Sequence, residues 1–140
     1  MNPYGSRYTA KIYGWSIVCG TMLMHFSDDL ETVGSSVDAW PEEEIEPDVL
    51  VKMWSKMRSD AWRNTPRDLR MLLTEAGPPP PEYADVHKKM ERFTSLAEQV
   101  AERQINRLVH PRQVLAEITP LIDEARAIIV GYPEWPLSLK

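Results

Sequence analysis

The sequence predicts a mainly α-helical protein, a small bundle built on an antiparallel helical hairpin of residues 81–109 and 111–130. Three observations predict it: apolar residues recur at three- and four-residue spacing, prolines stand where helices would begin, and Gly77, His110-Pro111 and Gly131 stand where they would end. A length of 140 residues suits one domain. With 43% hydrophobic and 26% charged residues, the chain falls among folded globular proteins rather than disordered or collagenous ones. Lone Cys19 closes no internal disulfide and leaves no cysteine pair for zinc. A cystine scaffold and a zinc finger are thereby excluded, and a reducing, cytoplasmic setting is expected.

The first element is the uncharged run Ile12 to Phe26. A spanning helix needs about 20 apolar residues, whereas Gly14, Ser16, Gly20, Thr21 and His25 interrupt this shorter stretch. Arg7 and Lys11 precede it as in a secretion signal, but no small-x-small cleavage site follows. Neither a membrane nor an export role is expected; the run reads as core. Tyr13, Trp15, Ile17 and Val18 favour a short β-hairpin and Thr21-Met22-Leu23-Met24 sits equally well in a helix, so its type stays open.

Residues 27–48 hold most of the acid. Asp28, Asp29, Glu31, Asp38, Glu42, Glu43, Glu44, Glu46 and Asp48 face no Lys or Arg there, against a net charge of −5 for the chain. With Gly34-Ser35-Ser36 and Trp40-Pro41 inside it, the stretch reads as an acidic loop or strap outside the core.

Pro47 to Asn64 follows as a helix. Pro47 occupies the first turn, Asp48 complements the dipole, and Leu50, Met53, Trp54, Met57 and Ala61 form one face. Thr65 then reads as the N-cap of a short helix with Asp68 three residues on, the stripe Leu69, Leu72, Leu73 and Ala76, and Gly77 just past its end. Pro78 to Pro81 form a stiff polyproline spacer of about 12 Å at roughly 3.1 Å per residue. Beyond it, Tyr83, Val86, Met90, Phe93, Ala97, Val100, Ala101, Ile105 and Leu108 trace the longest stripe. His110-Pro111 ends that helix because the residue before a proline is pushed out of the α region. Val114, Leu115, Ile118, Leu121, Ile122, Ala125, Ile128 and Ile129 make a last helix, one element kinked at Pro120. The tail, 131–140, is too rich in proline for helix or central strand.

Signals for chemistry are weak. Cys19 and His25 are the only Cys and His close in sequence, and neither helical nor strand geometry brings them into contact; a buried thiol is the better reading. No Gly-x-Ser-x-Gly elbow, dinucleotide fingerprint or phosphate loop can be drawn from the six dispersed glycines. His25, His87 and His110 are scattered, and Glu42 to Glu46 lack the spacing of a calcium loop. No metal and no cofactor is expected, and no catalytic residue is assigned.

Two binding readings remain. In the first, the chain is a non-catalytic adaptor, inhibitor or assembly component. Its strap would dock on a basic protein surface through Trp40, Glu42, Glu43, Glu44 and Glu46, with Trp135 as a second anchor; alternatively the strap covers the chain's own basic face. In the second, Lys52, Lys56, Arg63, Arg67 and Arg70 form a phosphate-facing strip across two helices, with Trp54 and Trp62 for stacking, in a faint echo of a helix-turn-helix. A sequence pI near 5.2 counts against nucleic acid. A small hydrolase using Cys19 or a carboxylate pair comes last. The long stripes would serve a homo-oligomer as well as an internal core.

Overall fold

The computed structural model describes residues 7–39, 64–104 and 111–130, which are helical apart from the short connection around Gly77 to Pro80; no strand occurs among them. Four helices result: α1 (Arg7–Ala39), α2 (64–76), α3 (Ala84–Gln104) and α4 (Pro111–Val130). The helical core expected from the periodicity is therefore present. None of these helices is long and apolar enough to cross a membrane.

The open question at the N-terminus resolves as helix. Tyr8, Ile12, Trp15, Cys19, Met22, Phe26, Asp29 and Val33 are all buried, at spacings that alternate between four and three. That spacing is the seam of a helix packed lengthwise on others, and a strand would have thrown alternate members to the solvent. The β-branched and aromatic residues at its start are overridden by this burial.

The same seam corrects the reading of residues 27–39 as the start of a loop. α1 continues unbroken through them, because Phe26, Asp29 and Val33 extend the buried stripe. A glycine inside a helix costs about 1 kcal/mol, less than the burial of a valine and its neighbours returns, so Gly34 does not end it. Residues 40–48 of the acidic segment, the Pro47 to Asn64 helix up to residue 63, residues 105–110 and the tail 131–140 lie outside the described residues.

The helix expected after Thr65 is present, but it is already formed at Asn64, so Thr65 is not its N-cap. Thr65 and Pro66 are both buried, and their packing holds the residue before the proline in a conformation it does not prefer by itself. The C-terminal signal is as expected. Gly77 takes φ +77° and its N–H reaches Thr74 O at 3.3 Å. Pro80, at φ −58° and ψ 153°, keeps the polyproline conformation. Pro81–Tyr83 form a single 3₁₀ turn, closed by Tyr83 N–H on Pro80 O at 2.9 Å, which delivers the chain into α3.

α3 and α4 form the hairpin. Arg92 on α3 meets Glu124 on α4, and Phe93, Leu96, Ala97 and Val100 share a core with Val114, Ile118, Ile122 and Ala125. α4 is one element, with Pro120 inside it on the exposed side. α1 runs in the same direction as α3, since contacts advance together from Tyr8 with His87 to Trp15 with Thr94 and Asp29 with Gln104. α2 lies antiparallel to α1, with Glu75 at Lys11 and Leu72 against Gly14. A Cβ at Gly14 would sit 3.4 Å from Leu72 Cδ2, ordinary van der Waals contact, so the Leu72 side chain packs directly over this position. At the centre, Trp15 meets Phe93 edge-on at 5.7 Å and Phe26 meets it at 5.9 Å.

Candidate functional site

Of the basic strip expected across two helices, Arg67 and Arg70 fall among the described residues; Lys52, Lys56 and Arg63 lie outside them. Arg70 is not turned to solvent. Its guanidinium bridges α2 to α3, donating to Glu91 Oε2 at 2.7 Å, to Glu98 Oε1 at 2.7 Å and Oε2 at 3.3 Å, and to Ser95 Oγ at 3.2 Å. The Glu98 hydrogen bond above all holds its pKa above the ordinary value. Arg67 donates to Asn64 Oδ1 at 2.6 Å, one turn back on its own helix. The planar fork of an arginine matches paired carboxylates, so the residue assigned to phosphate is here a clamp between helices. Nothing in the sequence pattern pointed to this, because Glu91 and Glu98 belong to a distant helix.

The clamp continues toward the N-terminus of α1. His87 is tucked against α1, its Nδ1 2.9 Å from Tyr8 Oη and its Nε2 3.5 Å from Glu91 Oε1. Tyr83 stacks on Tyr8 at 5.7 Å. Burial, and then the neighbouring Tyr83 phenol, push the Tyr8 hydroxyl up to about 12, so it stays protonated. Lys11 Nζ contacts Glu75 at 2.6 Å, and this hydrogen bond lowers the Glu75 pKa. Each of these pairs is partly exposed, and such pairs contribute little individually. Together with the Tyr8 contacts they join α1, α2 and α3.

Cys19 lies on the buried seam, and burial pushes its thiol up to about 12. The thiolate is the reactive form, so the Cys19 of the hydrolase reading is held in its unreactive state. The native protein is expected to leave Cys19 unlabelled by a thiol-reactive dye for hours and to label fully in denaturing urea; rapid labelling of the folded chain would contradict this burial.

The surface between α3 and α4 opens into a groove of about 570 Å³ lined by Asp85, Lys88, Lys89, Arg92, Glu124 and Ile128. Arg92 donates to Glu124 across it at 2.9 Å, and that bond raises the Arg92 pKa. The groove mixes both charges and is open to solvent, the composition of an ordinary bundle surface. Among the described residues, no three His, Cys, Asp or Glu side chains come together as metal ligands.

The acidic segment is described only in its first part. Asp28 and Glu31 are exposed on α1, while Asp29 is fully buried and accepts from Gln104 Nε2 at 3.1 Å. Trp40, Glu42, Glu43, Glu44, Glu46 and Trp135, assigned from sequence to a partner contact, lie outside the described residues. Comparison with protein-family models, with characterised proteins and with solved structures finds no match.

Proposed function

We propose that the chain is a non-catalytic interaction protein, an adaptor, inhibitor or assembly component, whose acidic, tryptophan-containing segment docks on the basic surface of another protein. Trp40 and Trp135 are the apolar anchors, and Glu42, Glu43, Glu44 and Glu46 supply the field that steers and orients the encounter. One observation carries this reading. Arg70, one of the two arginines of the expected basic strip among the described residues, is already committed to Glu91 and Glu98. A strap folded over its own basic face would compete with two formed ion pairs, whereas a partner's free lysines and arginines would not. The same commitment weighs against the strip as a phosphate-binding surface.

The test is capture from a nuclease-treated lysate of the source at low and high salt, with the triple variant Glu42→Lys, Glu43→Lys, Glu44→Lys alongside. One stoichiometric protein, lost at high salt and weakened at least about tenfold by the reversal, is expected; tenfold corresponds to about 1.4 kcal/mol. A partner retained equally by the reversed chain would overturn the assignment of the segment. Capture that depends on omitting the nuclease would favour nucleic acid instead.

A further inference from the structure

α1 has a second stripe, opposite the buried one. Ala10, Tyr13, Ile17, Gly20, Met24, Ser27 and Glu31 are exposed, at spacings that alternate between three and four. Tyr13, Ile17 and Met24 stand 50%, 59% and 69% exposed, three of the largest apolar side chains open to solvent among the described residues. Between Ile12 and Phe26 no face of this helix bears a charge. A helix lying on the outside of a bundle ordinarily presents charged residues to water, and one that lacks them on every side is covered on every side.

We propose that this outer stripe is the interface of a homodimer in which two α1 helices pack antiparallel across a two-fold axis. The stripe is complementary to itself in one register. When Tyr13 stands opposite Met24 of the second copy, Ile17 stands opposite its Gly20, and the same two contacts repeat on the other side of the axis. A large residue meets a bare backbone at the centre: nothing lies within 4 Å of the position a Cβ would take at Gly20, which leaves the room that Ile17 of the second copy fills. Tyrosine against methionine is a favourable pair of ring and thioether.

Charge fixes the direction. The exposed end of α1 before Ile12 carries Arg7 and no acid, while its exposed positions from Asp28 onward carry Asp28 and Glu31 and no base. Antiparallel packing sets Arg7 of each chain beside Asp28 and Glu31 of the other. Parallel packing would align like with like along the whole stripe, which is unfavourable. The alternation of three and four is also the period of a left-handed two-helix seam, and a two-fold contact of this kind closes on itself. A second copy is thus the occupant for which this face supplies both the shape and the charge.

The experiment is sedimentation equilibrium of the intact chain between about 1 and 100 μM, together with Ile17→Glu and Met24→Lys. Both substitutions are at exposed positions and leave the buried seam untouched. The expected result is a dimer of the 16.1 kDa chain whose dissociation constant rises at least a hundredfold in either variant, with unchanged far-ultraviolet circular dichroism. Register is read by oxidative crosslinking. Chains carrying Tyr13→Cys are expected to link to chains carrying Met24→Cys and not to themselves, Cys19 being buried. A monomer at 100 μM overturns the proposal, whether another part of the chain or a different protein covers the face. So does a dimer indifferent to Ile17→Glu, or Tyr13→Cys chains that link to one another. None of these results bears on Trp40 or Glu42 to Glu46, whose own test reads a different partner and different residues.

Discussion

Phe93→Ala is expected to cost about 3–5 kcal/mol, the range for truncating a buried aromatic whose surroundings cannot collapse into the space. Phe93 is fully buried on α3 and is the ring on which both α1 aromatics converge, Trp15 edge-on and Phe26 tilted. Its removal strips contacts from α1 at two points and from the α3–α4 core at once. A small domain has about 5–15 kcal/mol of stability in total, so the variant should sit near its unfolding midpoint in moderate urea. Ile118→Val, deleting one methyl group from the same core, should cost about 0.5–1.5 kcal/mol. Urea titrations of both variants, followed by tryptophan fluorescence, provide the check. Equal midpoints would mean that the three rings do not form the central joint.

What the sequence made legible follows from how local each signal is. The stop at Gly77, the polyproline conformation at Pro80 and the start at Pro111 depend on residues within a turn of one another, and the structure places them as read; the long helix instead begins at Ala84 rather than 81, because Pro81–Tyr83 take a 3₁₀ turn first. The Val114 to Ala125 stripe is likewise a property of one helix. α1 was ambiguous because a short uncharged run suits strand and helix alike; the deciding information, that Tyr8 through Val33 hold one seam, spans 26 residues and includes Asp29, which by type alone belongs outside. The acidic loop failed over residues 27–39 for the same reason: counting charge says how much acid a segment has, not which face it occupies. Arg70 shows the limit most plainly. From sequence it was one of five cations on a strip, and only the fold brings Glu91 and Glu98 to it from another helix. Thr94, paired with the Trp15 indole at 3.0 Å, and Gln104 were passed over because a polar residue inside an apolar stripe reads as an interruption.

Gln104→Leu is the substitution expected to be most disproportionate to its size. Gln104 and Asp29 are fully buried, and Gln104 Nε2 donates both to Asp29 Oδ2 at 3.1 Å and to Val100 O at 3.2 Å. Leucine fills the same space but takes away a donor that faces a carboxylate. Weakening the support of a buried acid by one hydrogen bond costs about 1–3 kcal/mol. Asp29→Leu should cost less, since the amide it strands is neutral and keeps its bond to Val100. The double variant, with both positions apolar, is expected to recover much of the Gln104→Leu loss, because a buried polar pair replaced as a unit is often nearly neutral. A double-mutant cycle from urea midpoints measures this directly, and additive losses would show that the two side chains do not act on each other. The reason to carry such a pair lies in register rather than strength. Apart from the Tyr8 hydroxyl on His87 and the Trp15 indole on Thr94, the other members of the α1 seam are apolar and repeat at the same spacing, so sliding α1 by two turns along α3 would exchange apolar contacts for one another at most positions. Asp29 opposite Gln104 is the position where such a slide would bury an acid against hydrocarbon. The double variant should therefore keep most of its stability while losing uniqueness, seen as doubled or broadened amide resonances from α1 in a heteronuclear correlation spectrum that is single and sharp for the parent chain.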